Sequence, residues 1–481
     1  MRETGILMPV SSLPSRTGVG ELGKETYTFL DILKEAGVKI WQVLPMNPLG
    51  YGNSPYQPYS SCAGDELYIS LELLYEEGLL KELPPSHLEN AKKVEYEKVR
   101  AWKEGYLREA FENFQETEEY HEFISEEWVR SYGVFRALKK ENENRCWNEW
   151  REEHKNWKGE ALSEETEKEA SYHMFLQYVF LCQWKKIKEY ANKNGIRIMG
   201  DVPFYVGIDS VDVWAGKENF LLGADGRPTF IAGVPPDYFS AVGQRWGNPV
   251  YDWEYLKKTG YDFWVKRIGY NSRLFDLIRI DHFRAFDTFW KIPASCPTAV
   301  EGEWIEAPGY EVLDTLKREV PEAHLVAEDL GDLRPEVLTL KDHYGLKGMK
   351  ILQFSIDTKG KYARDTFEEK ENLIIYTGTH DNDTIMEWYG KMSCAAKRKI
   401  RRFLKKQGIK TGSVKDRLLA YTWRSRAEYA IIPAADILGL GKEAHLNTPG
   451  TVGSPNWEWR MTDMKRLADE LYKYKKQMTE R

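Results

Sequence analysis

Short apolar runs recur along this chain of 481 residues and alternate with amphipathic segments. Each run ends at a polar residue, a glycine or a proline, which is typical of a buried strand. The runs are Ile6–Val10, Ile40–Leu44, Ile196–Met199, Leu277–Ile280, Leu325–Ala327, Met349–Phe354, Leu373–Tyr376 and Ala430–Pro433. Helical spacing between them is clearest over Glu25–Ala36, Phe263–Phe275, Tyr310–Glu319 and Ala395–Lys406. Repeated strand–helix units imply a parallel sheet, and eight of them predict an α/β fold of the (β/α)8 barrel class, a TIM barrel.

The runs are unevenly spaced, and the longest gaps predict inserted subdomains on the carboxyl face of the barrel. Residues 65–190 are rich in Glu, Lys and Trp at helical spacing and predict a mainly helical insertion. Residues 202–253 carry Gly, Pro and aromatic residues, and loops of this kind at the carboxyl face usually shape substrate binding. About 50 residues follow the last run, too few for a C-terminal β domain. We therefore expect residues 1–481 to form a single catalytic barrel with these two insertions.

Composition excludes several classes of protein. The formal net charge of −7, from 68 basic and 75 acidic side chains, disfavours a nucleic-acid partner. The first residues include an acid, and the next apolar stretch is broken by Pro9, which argues against a signal peptide. No run approaches the roughly 18 apolar residues of a membrane helix. The five cysteines are scattered and lack the spacing of a zinc site. These features predict a reduced, cytoplasmic protein with a neutral substrate and no membrane partner.

Three acidic residues follow closely behind predicted strands. Asp281 comes directly after Leu277–Ile280, Glu328 comes directly after Leu325–Ala327, and Asp381 lies five residues beyond Tyr376. The carboxyl ends of parallel barrel strands meet at the mouth where such barrels carry out chemistry, so we expect the three carboxylates to face one cleft. Two carboxyl groups that face one sugar are what glycosyl chemistry requires.

The neighbours of these acids indicate separate roles. Arg279 next to Asp281 predicts a nucleophile that a positive charge keeps ionised. Glu328 is then the general acid that protonates the departing glycosidic oxygen, and later the base that activates the acceptor. Structural alternatives stay open: Arg279 and Asp281 as an ion pair, and Glu328 or Asp381 as a helix cap. The run 380–383 invites a metal interpretation but lacks the Gly and distal Glu of a calcium loop, so no metal and no cofactor is expected.

Longer motifs occur in one order through almost the whole chain. They are Ser12–Pro14, Trp41–Pro45, Ser54–Gln57, Gly200–Pro203, Asp209–Trp214, Gly233–Ser240, Gly243–Pro249, Arg279–Arg284, Ala327–Gly331, Thr379–Asn382 and Asn456–Arg460. In this order they resemble the 4-α-glucanotransferases, the amylomaltases or disproportionating enzymes of the α-amylase clan. The sequence departs from the family pattern at Met8–Val10, at Cys62–Asp65 and at Ala285. These departures leave the three acids intact. The preferred length of the glucan substrate stays open.

The resemblance implies transfer of an α-1,4-glucan segment from a maltooligosaccharide, amylose or glycogen-derived donor to the 4-hydroxyl of an acceptor, through a covalent glucosyl enzyme. It implies Asp281 as the nucleophile, Glu328 as the acid/base and Asp381 as the acid that binds the hydroxyls of the distorted sugar. The positions that match substrate contacts of the family are Tyr51, Tyr56, Asp201, Tyr238, Phe239, Gln244, Trp246, Arg279, His282, His380 and Asn447. A hydrolase of the same clan and a catalytically silent glucan-binding protein remain as alternatives, and the sequence indicates no oligomeric state.

Overall fold

Eight parallel strands form the centre of the protein in a computed structural model that describes residues 2–236, 240–359, 361, 364–365 and 371–481. They are β1 (Glu3–Leu7), β2 (Ile40–Gln42), β3 (Arg197–Val202), β4 (Leu277–Ile280), β5 (Leu325–Ala327), β6 (Gly348–Ile351), β7 (Leu373–Tyr376) and β8 (Tyr429–Pro433). Neighbours pair in the order β6–β7–β8–β1–β2–β3–β4–β5. A parallel bridge between Val326 of β5 and Lys347, just before β6, closes the sheet. The fold is therefore a (β/α)8 barrel, as the alternation of runs predicts.

All eight predicted runs overlap a barrel strand, and the differences lie at the strand ends. The bounds of β4, β5 and β7 are those predicted. The prediction of Met349–Phe354 is too long, because the backbone turns into a short helix directly after Ile351. β3 continues past its predicted end at Met199, so that Asp201 lies within the strand. Strand side chains are almost all buried, because the interior covers one face of the barrel wall and helices cover the other.

Helices surround the barrel and fill the longest connection. They span Lys24–Ala36, Leu71–Glu76, Tyr96–Asn113, Glu118–Ile124, Glu127–Glu141, Glu152–Lys155, Glu164–Lys193, Val211–Ala215, Trp253–Lys258, Asp262–Leu274, Gly309–Glu319, Pro335–His343, Leu352–Ser355, Ile385–Lys391, Cys394–Lys406, Val414–Trp423, Ala434–Leu438 and Met464–Thr479. The four segments with helical spacing are all helices, and each begins one residue before its predicted start.

The segment 65–190 is mainly helical, and its last helix, Glu164–Lys193, also contacts the barrel wall. On that helix Trp184 donates its indole N–H to the carbonyl oxygen of Leu274, at 3.0 Å. The ring centroid of Trp184 lies 6.1 Å from that of Trp41 on β2. The long helix thus joins the inserted segment to the barrel.

A second, antiparallel sheet joins two connections on the carboxyl side of the barrel. Its strands are Gln244–Pro249, Phe230–Val234, Thr288–Pro293 and Glu303–Glu306, in that spatial order. The first two belong to the connection after β3 and the last two to the connection after β4. The segment 202–253 is therefore tied to its neighbour, beside the ends of the strands that carry Asp201 and Asp281. A two-stranded sheet pairs Ile356–Asp357 with Arg364–Asp365. In the described part of the chain, every helix is too short or too polar to span a membrane.

Candidate active site

A buried arginine joins two acidic side chains at the carboxyl ends of β3 and β4. Nη1 of Arg279 lies 2.6 Å from Oδ1 of Asp201 and 2.9 Å from Oδ1 of Asp281. Arg279 and Asp201 are buried, whereas the Asp281 side chain keeps 29% of its surface exposed. Burial disfavours the charged guanidinium, but the two carboxylates outweigh burial and raise the pKa of Arg279 well above its ordinary value. Arg279 therefore stays charged and leaves one of its two acids accessible to a substrate.

Glu328 follows β5 and is held by backbone amides. The N–H groups of His282 and Leu330 donate to its two carboxyl oxygens, at 2.8 and 3.1 Å. Burial raises the pKa of Glu328 to about 8, with Arg279 opposing the shift and the negative charge of Asp281 adding to it. Glu328 is therefore protonated at neutral pH beside a carboxylate that an arginine pairs. Two carboxyl groups whose environments separate their protonation states are suited to acid and nucleophile roles.

Tyr56 links the strand ends to the connection after β7. Its hydroxyl donates to Oδ2 of Asp201 at 2.8 Å and lies 3.4 Å from Nδ1 of His380. The ring of Tyr56 stacks on that of His380 with centroids 5.0 Å apart. Nε2 of His380 in turn lies 3.4 Å from Oδ1 of Asp381. These contacts bring Asp381 to the same cleft as Asp201 and Asp281.

Asp381 is the most exposed of the three predicted acids, with 44% of its side-chain surface accessible. Nδ2 of Asn447 donates to its Oδ1 at 2.7 Å, and the backbone N–H of Asn447 donates to the carbonyl oxygen of His380 at 3.1 Å. Asn447 therefore lies next to Asp381 and couples the connection after β8 to the connection after β7.

His282 and Trp246 form a further part of the wall. Their ring centroids lie 4.8 Å apart in an edge-on contact, and the Trp246 indole donates to Oε1 of Gln244 at 3.2 Å. Burial lowers the pKa of His282 to about 4, so the imidazole is neutral at neutral pH. Tyr51 is 76% exposed and has no hydrogen bond or ring contact to the acids within the described ranges. Tyr238 and Phe239 lie outside the described residues.

The helix-cap interpretations are wrong. After Glu328 the next helix has Arg334 at its N-cap, and after Asp381 the next helix has Thr384 there, whose hydroxyl accepts the backbone N–H of Glu387 at 3.2 Å. The ion pair of Arg279 with Asp281 does exist, and the exposure of Asp281 leaves that carboxylate open to a second role.

One cluster of the described residues has the geometry of a possible metal site. Ligand atoms of Asp383, Glu387 and His445 lie within 4.8 Å of one another. The ammonium of Lys391, however, lies 2.7 Å from Oδ1 of Asp383 and 3.0 Å from Oε1 of Glu387. The two carboxylates therefore already share an internal cation, and the cluster is an ion-pair network.

Several residues of the cleft were not singled out from the sequence. Nε2 of Gln57 donates to the carbonyl oxygen of Trp246 at 3.2 Å and so holds the strand that carries this ring. Tyr205 lies with its ring centroid 6.4 Å from His282, and Trp457 lies 5.7 Å from His380. Gln57 and Trp457 lie in the motifs Ser54–Gln57 and Asn456–Arg460, but the sequence alone assigns neither of them an individual role.

Comparison with known proteins agrees with this geometry. The sequence profile of the 4-alpha-glucanotransferase family matches residues 8–466. The chain is 42% identical over 476 residues to the 4-alpha-glucanotransferase of Thermus thermophilus, covering 96% of this chain and 95% of the relative. It is 41% identical over 471 residues to that of Aquifex aeolicus, covering 96% of each.

Solved structures give the same result. The amylomaltase from Streptococcus agalactiae in complex with acarbose superposes with a TM-score of 0.91 at 34% identity, over 98% of each chain. The amylomaltase from Corynebacterium glutamicum, at 17% identity and a TM-score of 0.80 over 98% of this chain and 75% of that one, shares the fold. A family profile that spans nearly the whole chain and relatives above 40% identity lead to one conclusion. This chain belongs to the 4-alpha-glucanotransferase family.

Proposed function

We propose that this chain transfers an α-1,4-glucan segment from a donor maltooligosaccharide to the 4-hydroxyl of an acceptor glucan or glucose, with retention of the anomeric configuration. The observation that carries the proposal is the raised pKa of Glu328 beside the arginine-paired Asp281, in a member of the 4-alpha-glucanotransferase family. A carboxylic acid with a raised pKa beside a second, arginine-paired carboxyl group is the pair that retaining glycosyl transfer uses.

In the first half of the reaction, an oxygen of Asp281 attacks the anomeric carbon of the donor. The bond from that carbon to the glycosidic oxygen breaks, and the proton of Glu328 moves to the departing oxygen. The products are a covalent glucosyl ester on Asp281 and a free oligosaccharide. Arg279 is placed to pair with Asp281 before the attack, because its guanidinium lies 2.9 Å from the carboxylate.

The same charges change the role of Glu328 for the second half. The negative charge of Asp281 is one cause of the raised pKa of Glu328, and ester formation removes that charge. Arg279 remains and lowers the pKa of Glu328. The carboxylate that has given up its proton is then stabilised and can accept the proton of the acceptor's 4-hydroxyl. Attack of that oxygen on the glucosyl ester releases Asp281 and completes the transfer.

Asp381 and its neighbours in the connections after β7 and β8 form the loop side of the cleft. We propose that this side binds the sugar that reacts. Asp381 is exposed and oriented by Asn447, His380 lies against it, and Tyr56 stacks on His380. We assign to Asp381 the binding of sugar hydroxyls that shift when the ring distorts towards the transition state. Neutral His282, whose ring contacts that of Trp246, can exchange hydrogen bonds with a hydroxyl without introducing a charge.

Transfer rather than hydrolysis requires that the acceptor outcompete water. Tyr238 and Phe239, outside the described residues, belong to an aromatic and proline-rich segment that would cover a bound acceptor and exclude water. Maltooligosaccharides, amylose and glycogen-derived glucans are the substrates we propose, in cytoplasmic maltodextrin or glycogen metabolism.

Incubation of the purified protein with maltotriose tests this function, with the product ladder and total reducing ends followed over time. Glucose and a series of longer maltodextrins at constant reducing ends are expected. Rising reducing ends without longer products would instead show a hydrolase. An unchanged substrate would support the silent binding protein.

A further inference from the structure

A chain of hydrogen bonds runs from Asp381 away from the cleft. Nδ2 of Asn447 donates to Asp381, and the backbone N–H of Asn447 donates to the carbonyl oxygen of His380. Behind Asn447, Nε2 of His445 lies 2.7 Å from the Asn447 carbonyl oxygen. Nδ1 of the same ring lies 2.9 Å from Oε2 of Glu387. The sugar-facing acid is thus connected, through one loop, to a half-buried imidazole.

Both ring nitrogens of His445 face atoms that only accept hydrogen bonds. The first is a backbone carbonyl oxygen and the second is a carboxylate oxygen. Burial disfavours the charge of Glu387, yet hydrogen bonds from Lys391 and His445 outweigh burial and lower the pKa of Glu387 below its ordinary value, so it remains an acceptor. Each contact needs an N–H on the ring, and the two together need the doubly protonated imidazolium.

The surroundings of His445 match a cation. Oδ1 of Asp383 lies 3.5 Å from Nδ1 and adds a second negative charge beside that of Glu387. Lys391 bridges the same two carboxylates from its own position on the helix Ile385–Lys391. Two acids therefore face two cations, His445 and Lys391, and the cluster is balanced when the imidazole is charged.

We propose that His445 is a positioning residue for the glucan transfer, and this inference rests on the proposed function. As a cation with two hydrogen bonds, it anchors the backbone of Asn447 to the helix that follows the Asp381 loop. Asn447 then holds Asp381 at a set orientation for the distorted sugar. A side chain with one donor at position 445 would release one end of this connection, and Asp381 would lose its orientation in the transition state.

Steady-state kinetics with maltotriose tests the proposal in three variants. His445→Ala removes both donor nitrogens, His445→Gln keeps a single donor nitrogen, and His445→Arg keeps several donor nitrogens and the charge. We expect the first two to lower kcat by up to about 10-fold with little change in KM, no more than loss of the Asn447 hydrogen bond itself. His445→Arg should recover most of the lost kcat. His343→Gln, on the exposed surface of another helix, is the matched control and should behave as wild type.

A double-mutant cycle separates positioning from general stabilisation. Because Asp381→Asn removes the group that His445 positions, adding His445→Gln to it should lower kcat by little more, whereas independent losses would multiply. The proposal would be overturned if the kcat losses of Asp381→Asn and His445→Gln multiplied in the double variant. It would also be overturned by an unchanged kcat in His445→Gln, or by no recovery of kcat in a folded His445→Arg. Thermal unfolding of every variant confirms that folded proteins are compared. An inactive wild type would overturn the proposed function itself, whereas an active wild type with an unaffected His445→Gln overturns only this inference.

Discussion

The two sides of the cleft hold their acidic groups in different ways. On the strand side, Asp201 lies within β3, Asp281 directly follows β4, and Glu328 accepts two backbone N–H groups. Arg279 supplies a buried positive charge to this side. On the loop side, Asp381 stands in the connection after β7 with 44% of its side chain exposed, and an amide of a separate loop orients it.

This difference separates the chemistry from the binding of the distorted sugar. The groups proposed to form and break bonds are held by barrel backbone and by the buried charge of Arg279, which together constrain their positions. The acid proposed to bind the sugar is placed by contacts with residues of neighbouring loops. Substitutions on the strand side should therefore affect chemistry and stability together, and those on the loop side should affect mainly the rate.

The largest effect is expected from Glu328→Gln. The amide cannot protonate the departing oxygen, so kcat with maltotriose should fall roughly 10²-fold to 10⁴-fold, the usual contribution of a general acid. Glu336→Gln changes an exposed acid on the helix Pro335–His343 and serves as the control. Near-normal turnover in Glu328→Gln would remove Glu328 from the mechanism.

Arg279→Met tests whether the strand side carries stability that the loop side lacks. The substitution leaves Asp201 buried without its partner, and loss of one member of a buried pair typically costs about 3–5 kcal/mol. Asn447→Ala removes a hydrogen bond at the exposed side and should cost no more than about 1 kcal/mol. Urea unfolding of both variants measures the difference. Arg334→Met, which breaks the more exposed pair with Asp287, is the control, and equal losses at Arg279 and Asn447 would contradict the comparison.

The strand side was also the more predictable from sequence. Asp281 and Glu328 follow apolar runs whose strand ends are those predicted, so the barrel rule alone indicates where their carboxylates point. Predicting the loop side requires more than the barrel rule. That Asp381 lies in the same cleft follows from Tyr56 and Asn447, which are 325 residues before and 66 residues after it. The positions of such partners depend on the folded loops, and local periodicity carries no information about them.

Long-range pairing explains the other gaps in the prediction. The antiparallel sheet pairs Phe230–Val234 with Thr288–Pro293, and β4 lies between them in the chain. Local sequence indicates that a segment is extended but not which distant segment it pairs with. The contact of His445 with Glu387 spans 58 residues for the same reason. The predicted end of β6 differs for another reason: Leu352–Ser355 is as apolar as the strand before it, and apolar character alone does not distinguish strand from helix.

Asn447→Ala should lower kcat about tenfold, less than a strand-side acid, because it removes one hydrogen bond to a charged group. KM should change little, since Asp381 would act mainly on the distorted sugar. Kinetics with maltotriose measures this, and Asn90→Ala at an exposed position is the control. A fall in kcat as large as that of Glu328→Gln would show that Asn447 has a direct part in the chemistry.

Up to pH 8, the smallest effect is expected from a change of pH. The leaving oxygen needs a protonated Glu328, and the pKa of this group is raised by burial to about 8, so the free enzyme loses its acid as pH rises through that value. The ratio kcat/KM for maltotriose should therefore fall about twofold near pH 8 and about tenfold for each further unit. With α-maltosyl fluoride as the donor the departing fluoride has little need of a proton, so the first half of the reaction should lose this alkaline decline. The same decline with both donors would assign the titration to another group, whereas its loss with the fluoride would tie the raised pKa to the strand side of the cleft.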